Sequence, residues 1–190
     1  MPQPDHISKL GIPPEEGLPD DLKAIWAKCN EKIGFVPNVF KTLSLKPQRL
    51  RDFMQIFNEI MLSESNLSKL EREMIAVVVS AANGCYYCLV SHGAAVRKMS
   101  GDPQLGEMLA MNYRAAELEP KMRGILDFAW KLTKTPSEVI EADRQRLREL
   151  GLSSEDIFDV AEVVALFNFS NRMALATDMM PNAEYHTLAR

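Results

Sequence analysis

Apolar residues return every third or fourth position along most of this chain, and Ser, Asp, Pro and Gly interrupt the rhythm at intervals. Both features predict helices with marked starts and stops. Leu22, Ile25, Trp26, Cys29 and Ile33 share one side of a segment opened by Asp20-Asp21 and closed by Gly34. Phe35-Val36-Pro37-Asn38 reads as a connector, with a short helix following through Leu45. Pro47 suits the first turn of the next helix, along which Leu50, Phe53, Met54, Phe57, Ile60 and Met61 recur. Ser68-Lys69-Leu70-Glu71 has the spacing of a capping box and opens a helix running to Asn83-Gly84. Its β-branched run, Ile75 to Val79, favours strands in isolation. The cap, the length and the Ala-rich continuation predict a buried helix instead.

A new helix is expected from near Cys85 to about Lys98. Asp102-Pro103 starts another, with aspartate as cap and proline at the first position. Glu119-Pro120 repeats the device, and Thr135-Pro136-Ser137-Glu138 repeats it as a capping box with proline; Gly151 stops that last helix. Ser153 caps a long apolar helix to the Ala174 region. No segment alternates like a strand, and no hinge or low-complexity stretch divides the chain. The expected fold is all-α, a compact multi-helix bundle in one domain over residues 1–190, with residues 1–20 as an extended arm.

Composition narrows the partners. Net charge is −4 and the pI about 5.5, which argues against a nucleic-acid surface or a membrane patch. The start, Met1-Pro2-Gln3-Pro4-Asp5-His6, has neither the basic opening nor the apolar stretch of a signal peptide. The most apolar run, Ile75 to Ala82, is too short to span a bilayer. A cytoplasmic location is the expectation. There, three cysteines form no disulfide framework, and a close pair points to redox chemistry or metal.

That pair is Cys85 and Cys88. On a helix, Cys85, Cys88 and His92 fall within roughly 60° of one another around the axis. Thiols at a helix start are favoured as thiolates by the unpaired N–H groups there. An imidazole one turn further on can take a thiol proton, directly or through water. Glu73 lies about 15 Å before Asn83 along its helix and His92 about 10 Å after Cys85 along the next. If the two helices fold back at Asn83-Gly84 as an antiparallel pair, the carboxylate and imidazole reach similar depth. Glu73 would then orient His92 and stabilise its charged form.

Plainer readings stand beside this one. A single CxxC can be half of a zinc site, but besides His92 only Cys29, His6 and His186 remain as further soft ligands and none has finger-like spacing. The pair could also be inert core thiols. Cys29 reads as a small core residue, His6 and His186 as solvent-exposed, Glu71 as a solvated helix residue, and Tyr86 and Tyr87 as packing residues. Asn168 and Asn171 sit in an apolar helix without an assigned role. No cofactor and no metal is expected.

Glu, eleven residues, then Cys-x-x-Cys-x-x-x-His resembles the active-site motif of alkylhydroperoxidase D, in the carboxymuconolactone decarboxylase-like superfamily. The text from Leu67 to Met99 is similar to a peroxidase-related branch. Gly34-Phe35-Val36-Pro37-Asn38 and Leu166-Phe167-Asn168-Phe169-Ser170-Asn171-Arg172 resemble that branch more loosely. The resemblance implies an all-α fold associating into trimers or hexamers. It also implies reduction of a hydroperoxide by a cysteine pair that cycles through a disulfide. Cys88 would be the attacking thiol, Cys85 the resolving one, His92 with Glu73 the proton relay, and an outside dithiol the electron donor. The best-known members carry histidine where this chain has Tyr87, and many relatives carry a second one at Ser91. A decarboxylase-like proton-transfer enzyme and a non-enzymatic redox sensor or oligomeric scaffold are the alternatives.

Overall fold

A computed structural model describes residues 3–190, and no strand occurs among them. The α-helices are α1 (Asp20–Ile33), α2 (Asn38–Leu43), α3 (Pro47–Leu62), α4 (Lys69–Asn83) and α5 (Tyr86–Ser100). The second half contributes α6 (Pro103–Asn112), α7 (Pro120–Lys134), α8 (Glu141–Glu149), α9 (Ser154–Ala176) and the short α10 (Glu184–Thr187).

Helix α4 is the axis of the molecule. Ile75, Ala76, Val77, Val78 and Val79 are all fully buried, because α5, α6, α7 and α9 pack around them. A helix apolar on every side belongs in a core, and that enclosure overrides the strand preference of its valines. The capping box forms as expected. The Glu71 N–H donates to Ser68 Oγ at 3.2 Å, and Glu71 Oε2 accepts the Ser68 N–H at 2.7 Å. Ser153 and Asp156 make the same reciprocal pair at the start of α9. Gly84 ends α4 with φ +66°, a left-handed conformation that costs glycine little. The Cys85 N–H then returns to the Ser80 carbonyl at 2.9 Å, and α5 packs along α4.

Two buried arginines hold the loops beside this axis. Arg72 donates to the carbonyls of Ile60, Ser63 and Leu67, closing the α3–α4 connection. Arg97 donates to the carbonyls of Tyr185 and Leu188 and so draws the C-terminal tail back over α5. Asn182 completes the anchorage: its side chain accepts the Asn38 N–H at 2.8 Å and donates to the Val36 carbonyl at 3.0 Å. The arm before α1 is tied to the same end of the molecule. The Lys9 N–H meets the Thr177 carbonyl at 3.0 Å, and the Met180 N–H meets the Ile7 carbonyl at 3.1 Å. Met1 and Pro2, where the arm begins, lie outside the described residues.

Three expectations need correction. Thr135 caps no α-helix: Pro136–Glu138 closes a separate 3-10 turn, and α8 begins only at Glu141. There Asp143 Oδ2 accepts the Ile140 N–H, the group a cap would have had to satisfy. Glu119 precedes Pro120 at the start of α7 without a side-chain capping bond. His6 is half-buried rather than exposed, because Asp178, at φ +48°, turns both its carbonyl and its carboxylate toward the imidazole.

Candidate active site

The α4–α5 turn determines where the four predicted residues lie. Glu73 is on α4, Cys85 is the N-cap of α5, and Cys88 and His92 follow on α5. Glu73 Oε2 lies 2.6 Å from His92 Nδ1, with both side chains mostly buried. A carboxylate can only accept, so Nδ1 carries the proton and Nε2 is left free. Phe167 of α9 meets the imidazole edge-on, with ring centroids 4.5 Å apart, and limits its rotation.

Cys85 and Cys88 are free thiols, each about 1% exposed. Their proton affinities differ in opposite directions. The Cys88 thiol beside it, its backbone N–H and the His92 charge lower the Cys85 pKa below the ordinary thiol value, against the effect of burial. The Cys85 sulfur and burial push Cys88 well up. Of the two, Cys85 ionises first and Cys88 holds its proton longer. The geometry accounts for the direction: Cys85 stands at a helix N-cap and Cys88 at the third helical position, whose N–H is unpaired within the helix.

A cavity of about 230 Å³ opens beside the pair. Pro37, Val39, Phe40, Phe53, Phe57 and Ala95 make it apolar, while Glu73, His92, Tyr87, Ser91, Ser170 and Tyr185 bring polar groups to its wall. Neither cysteine lines it. Cys88 lies behind the wall, where Ser91 Oγ donates to its carbonyl at 3.3 Å. A larger apolar groove of about 750 Å³ between α3 and α9 contains none of the predicted residues and shares only Phe53 with the cavity. No cluster of three or more His, Cys, Asp or Glu side chains fit for a metal occurs among the described residues. No helix among them is long and apolar enough to cross a membrane.

Two site residues had little or no signal in the sequence. Tyr185 reaches the cavity from the tail and lines it together with Tyr87. Tyr87 Oη also accepts the Val39 N–H at 3.1 Å. Burial and the Glu73 charge push the Tyr185 hydroxyl up to about 12, so it stays a neutral donor. Asn171, fully buried on α9, acts to lower both thiols. Its place in an apolar helix was the only hint. Cys29, half-buried on α1, packs on the separate small core around Leu22 and Trp26.

The chain matches a known family and several solved structures. Residues 47–129 match the model of the carboxymuconolactone decarboxylase family. The chain is 53% identical to an uncharacterised peroxidase-related protein from Silicibacter sp. TM1040, over 100% of both chains, with a TM-score of 0.96. It is 43% identical to an alkylhydroperoxidase AhpD core, an uncharacterised peroxidase-related protein from Ralstonia eutropha JMP134, over 98% of both chains, with a TM-score of 0.95. The debrominase Bmp8, solved in complex with 2,3,4-tribromopyrrole, shares the fold at 18% identity, over 96% of this chain and 94% of that one, with a TM-score of 0.79.

Proposed function

The chain belongs to the AhpD-like, peroxidase-related proteins, and from that premise we propose that it is a thiol-dependent reductase of organic hydroperoxides. The observation that carries the reading is the Glu73–His92 hydrogen bond on the wall of an apolar cavity, one residue layer from a reduced dithiol. An alkyl or aryl hydroperoxide suits that cavity, with its apolar body among the phenylalanines and its peroxide end toward the polar wall.

Cys88 gives its proton to Cys85 and attacks the terminal peroxide oxygen. An S–O bond forms, the O–O bond breaks, and the alkoxide leaves as alcohol with a proton donated from the wall. His92 Nε2 then takes the proton from Cys85, and the resulting imidazolium is held by Glu73. Cys85 attacks the Cys88 sulfenic sulfur, an S–S bond forms, and the hydroxyl leaves as water with that proton. One hydroperoxide, one thiol, one thiolate and one proton, replaced at the wall from solvent, thus give one alcohol, one water and one disulfide. An outside dithiol returns the pair to its reduced form by exchange. Access to Cys88 requires the Ser91–Ser170 wall to open, a motion on the scale of side-chain and loop fluctuations.

The test is turnover. With excess dithiothreitol, the protein should consume cumene hydroperoxide catalytically, and Cys88→Ser should abolish consumption. Consumption no faster than in the Cys88→Ser variant or a denatured control would refute the reading.

A further inference from the structure

An alkoxide is a poor leaving group until it receives a proton, so the wall of the cavity must hold an acid. Its polar side chains are Glu73, Tyr87, Ser91, His92, Ser170 and Tyr185. Most of them cannot give that proton. Glu73 is the carboxylate that accepts from His92 Nδ1 at 2.6 Å, so the acid is already ionised and the neutral imidazole has committed its one N–H. Ser91 Oγ donates to the Cys88 carbonyl at 3.3 Å. Ser170 is an aliphatic alcohol, no stronger an acid than the alcohol being formed. The phenols of Tyr87 and Tyr185 remain.

Tyr87 is buried, and its Oη is tied to the Val39 N–H at 3.1 Å. Tyr185 is held differently, by everything except its hydroxyl. Its carbonyl accepts from Arg97 Nη2 at 2.9 Å, and its N–H donates to the Asn182 carbonyl at 3.2 Å. Its ring stands edge-on to Phe35, with centroids 5.0 Å apart. The Tyr185 hydroxyl itself makes no hydrogen bond among the described residues. Trp26 Nε1 is the only side-chain polar atom among them that is both sealed and unpartnered, so the Tyr185 oxygen keeps an open face. Burial and the Glu73 charge hold this phenol protonated, pushed up to about 12, and it is still a far stronger acid than an aliphatic alcohol.

We propose that Tyr185 is a further catalytic residue of this site: its phenolic proton passes to the departing alkoxide oxygen as Cys88 attacks the peroxide. The bond from Cys88 Sγ to the terminal oxygen forms and the O–O bond breaks. The electron pair of that bond goes to the leaving oxygen, which takes the Tyr185 proton and departs as the alcohol. The sulfur is oxidised and the peroxide reduced; the tyrosine changes only its protonation. The phenolate left behind recovers a proton from solvent through its open face. The inference deepens the peroxidase reading and rests on it. It also sets a substrate rule: an alkyl hydroperoxide needs Tyr185, whereas a peracid, whose carboxylate leaves without a proton, does not.

The experiment follows single-turnover oxidation of the reduced protein by stopped flow, with cumene hydroperoxide and with meta-chloroperbenzoic acid, an aryl peracid. Tyr185→Phe keeps the ring on Phe35 and both backbone bonds, and removes only an oxygen that holds no part of the fold. It should slow the reaction with cumene hydroperoxide about a hundredfold, the scale of a lost general acid, and leave the peracid within about twofold of wild type. Equal losses on both oxidants, or no loss on either, overturn the proposal, while rapid oxidation of the wild-type protein keeps the peroxidase reading. A hydroperoxide-selective loss in Tyr87→Phe instead of Tyr185→Phe assigns the proton to Tyr87 and overturns the proposal as well. If wild-type protein reacts with neither oxidant faster than unfolded protein, the peroxidase reading itself fails and the inference falls with it.

Discussion

Glu73 Oε2 and His92 Nδ1 meet at 2.6 Å across the two helices joined at Gly84. The contact orients the imidazole and leaves its Nε2 free for proton transfer. Glutamine at position 73 can still accept the Nδ1–H but cannot stabilise an imidazolium. Glu73→Gln is expected to slow peroxide-dependent thiol oxidation about a hundredfold, the scale of a lost proton-transfer partner, with little change in melting temperature. Stopped-flow thiol loss measures this; an unchanged rate removes Glu73 from the mechanism.

The unequal thiols predict a pH signature. The Cys88 thiol beside it holds Cys85 below the ordinary thiol range, so alkylation should plateau above a midpoint below that range. Below that midpoint it should fall with thiolate fraction. Cys88→Ala removes the largest cause and should raise the midpoint. Cys85→Ala should instead let Cys88 titrate lower than it does in the pair. A single midpoint at the ordinary value in all three proteins would contradict the shared-proton arrangement.

The same shifts act on stability. Between the folded Cys85 pKa and its unfolded value, the unfolded state binds more protons, so stability of the reduced protein rises with pH. This stabilisation is lost as pH falls through the folded value. Above the unfolded Cys88 value, the folded state holds the extra proton, so stability falls as pH rises further. The difference in urea midpoint between wild type and a Cys85→Ala/Cys88→Ala double variant should therefore peak near the ordinary thiol range. A flat difference across that range would argue against both shifts.

The cavity predicts selectivity. Ala95 lines it from α5. Ala95→Leu should narrow it and depress turnover of cumene hydroperoxide far more than that of hydrogen peroxide. Equal losses on both substrates in steady-state assays would mean that the cavity does not hold the organic group.

The turn that forms the site is itself testable. A Cβ on Gly84 would meet no atom within 4 Å, so its substitution costs only the left-handed backbone. Gly84→Ala should lower unfolding free energy by about 1 kcal/mol in urea, and Gly84→Asn by less. An unaffected alanine variant would mean that the turn relaxes to another conformation.

Local chemistry explains which features were legible in the sequence. Ser68, Asp102 and Ser153 accept helix N–H groups, and Gly34 and Gly84 take left-handed φ. Each such signal acts within a few residues of itself. Helical register alone set Glu73 and His92 at matching depth. Thr135 misled because Pro136 supports a 3-10 turn as readily as a helix start, and the choice fell to Asp143. Tyr185 was invisible because Arg97 and Asn182 deliver it through long-range bonds to backbone carbonyls. Asn171 was noticed as a polar residue in an apolar helix, but its partners Ser80 and Asn83 come from another helix.

The most direct test of the dithiol mechanism is to treat fully reduced protein with one equivalent of cumene hydroperoxide and read its intact mass and disulfide map over time. The mechanism predicts rapid loss of two hydrogens with a single Cys85–Cys88 disulfide and an untouched Cys29. Oxidation no faster than in unfolded protein, or oxygen added to the cysteines without that disulfide, would contradict it.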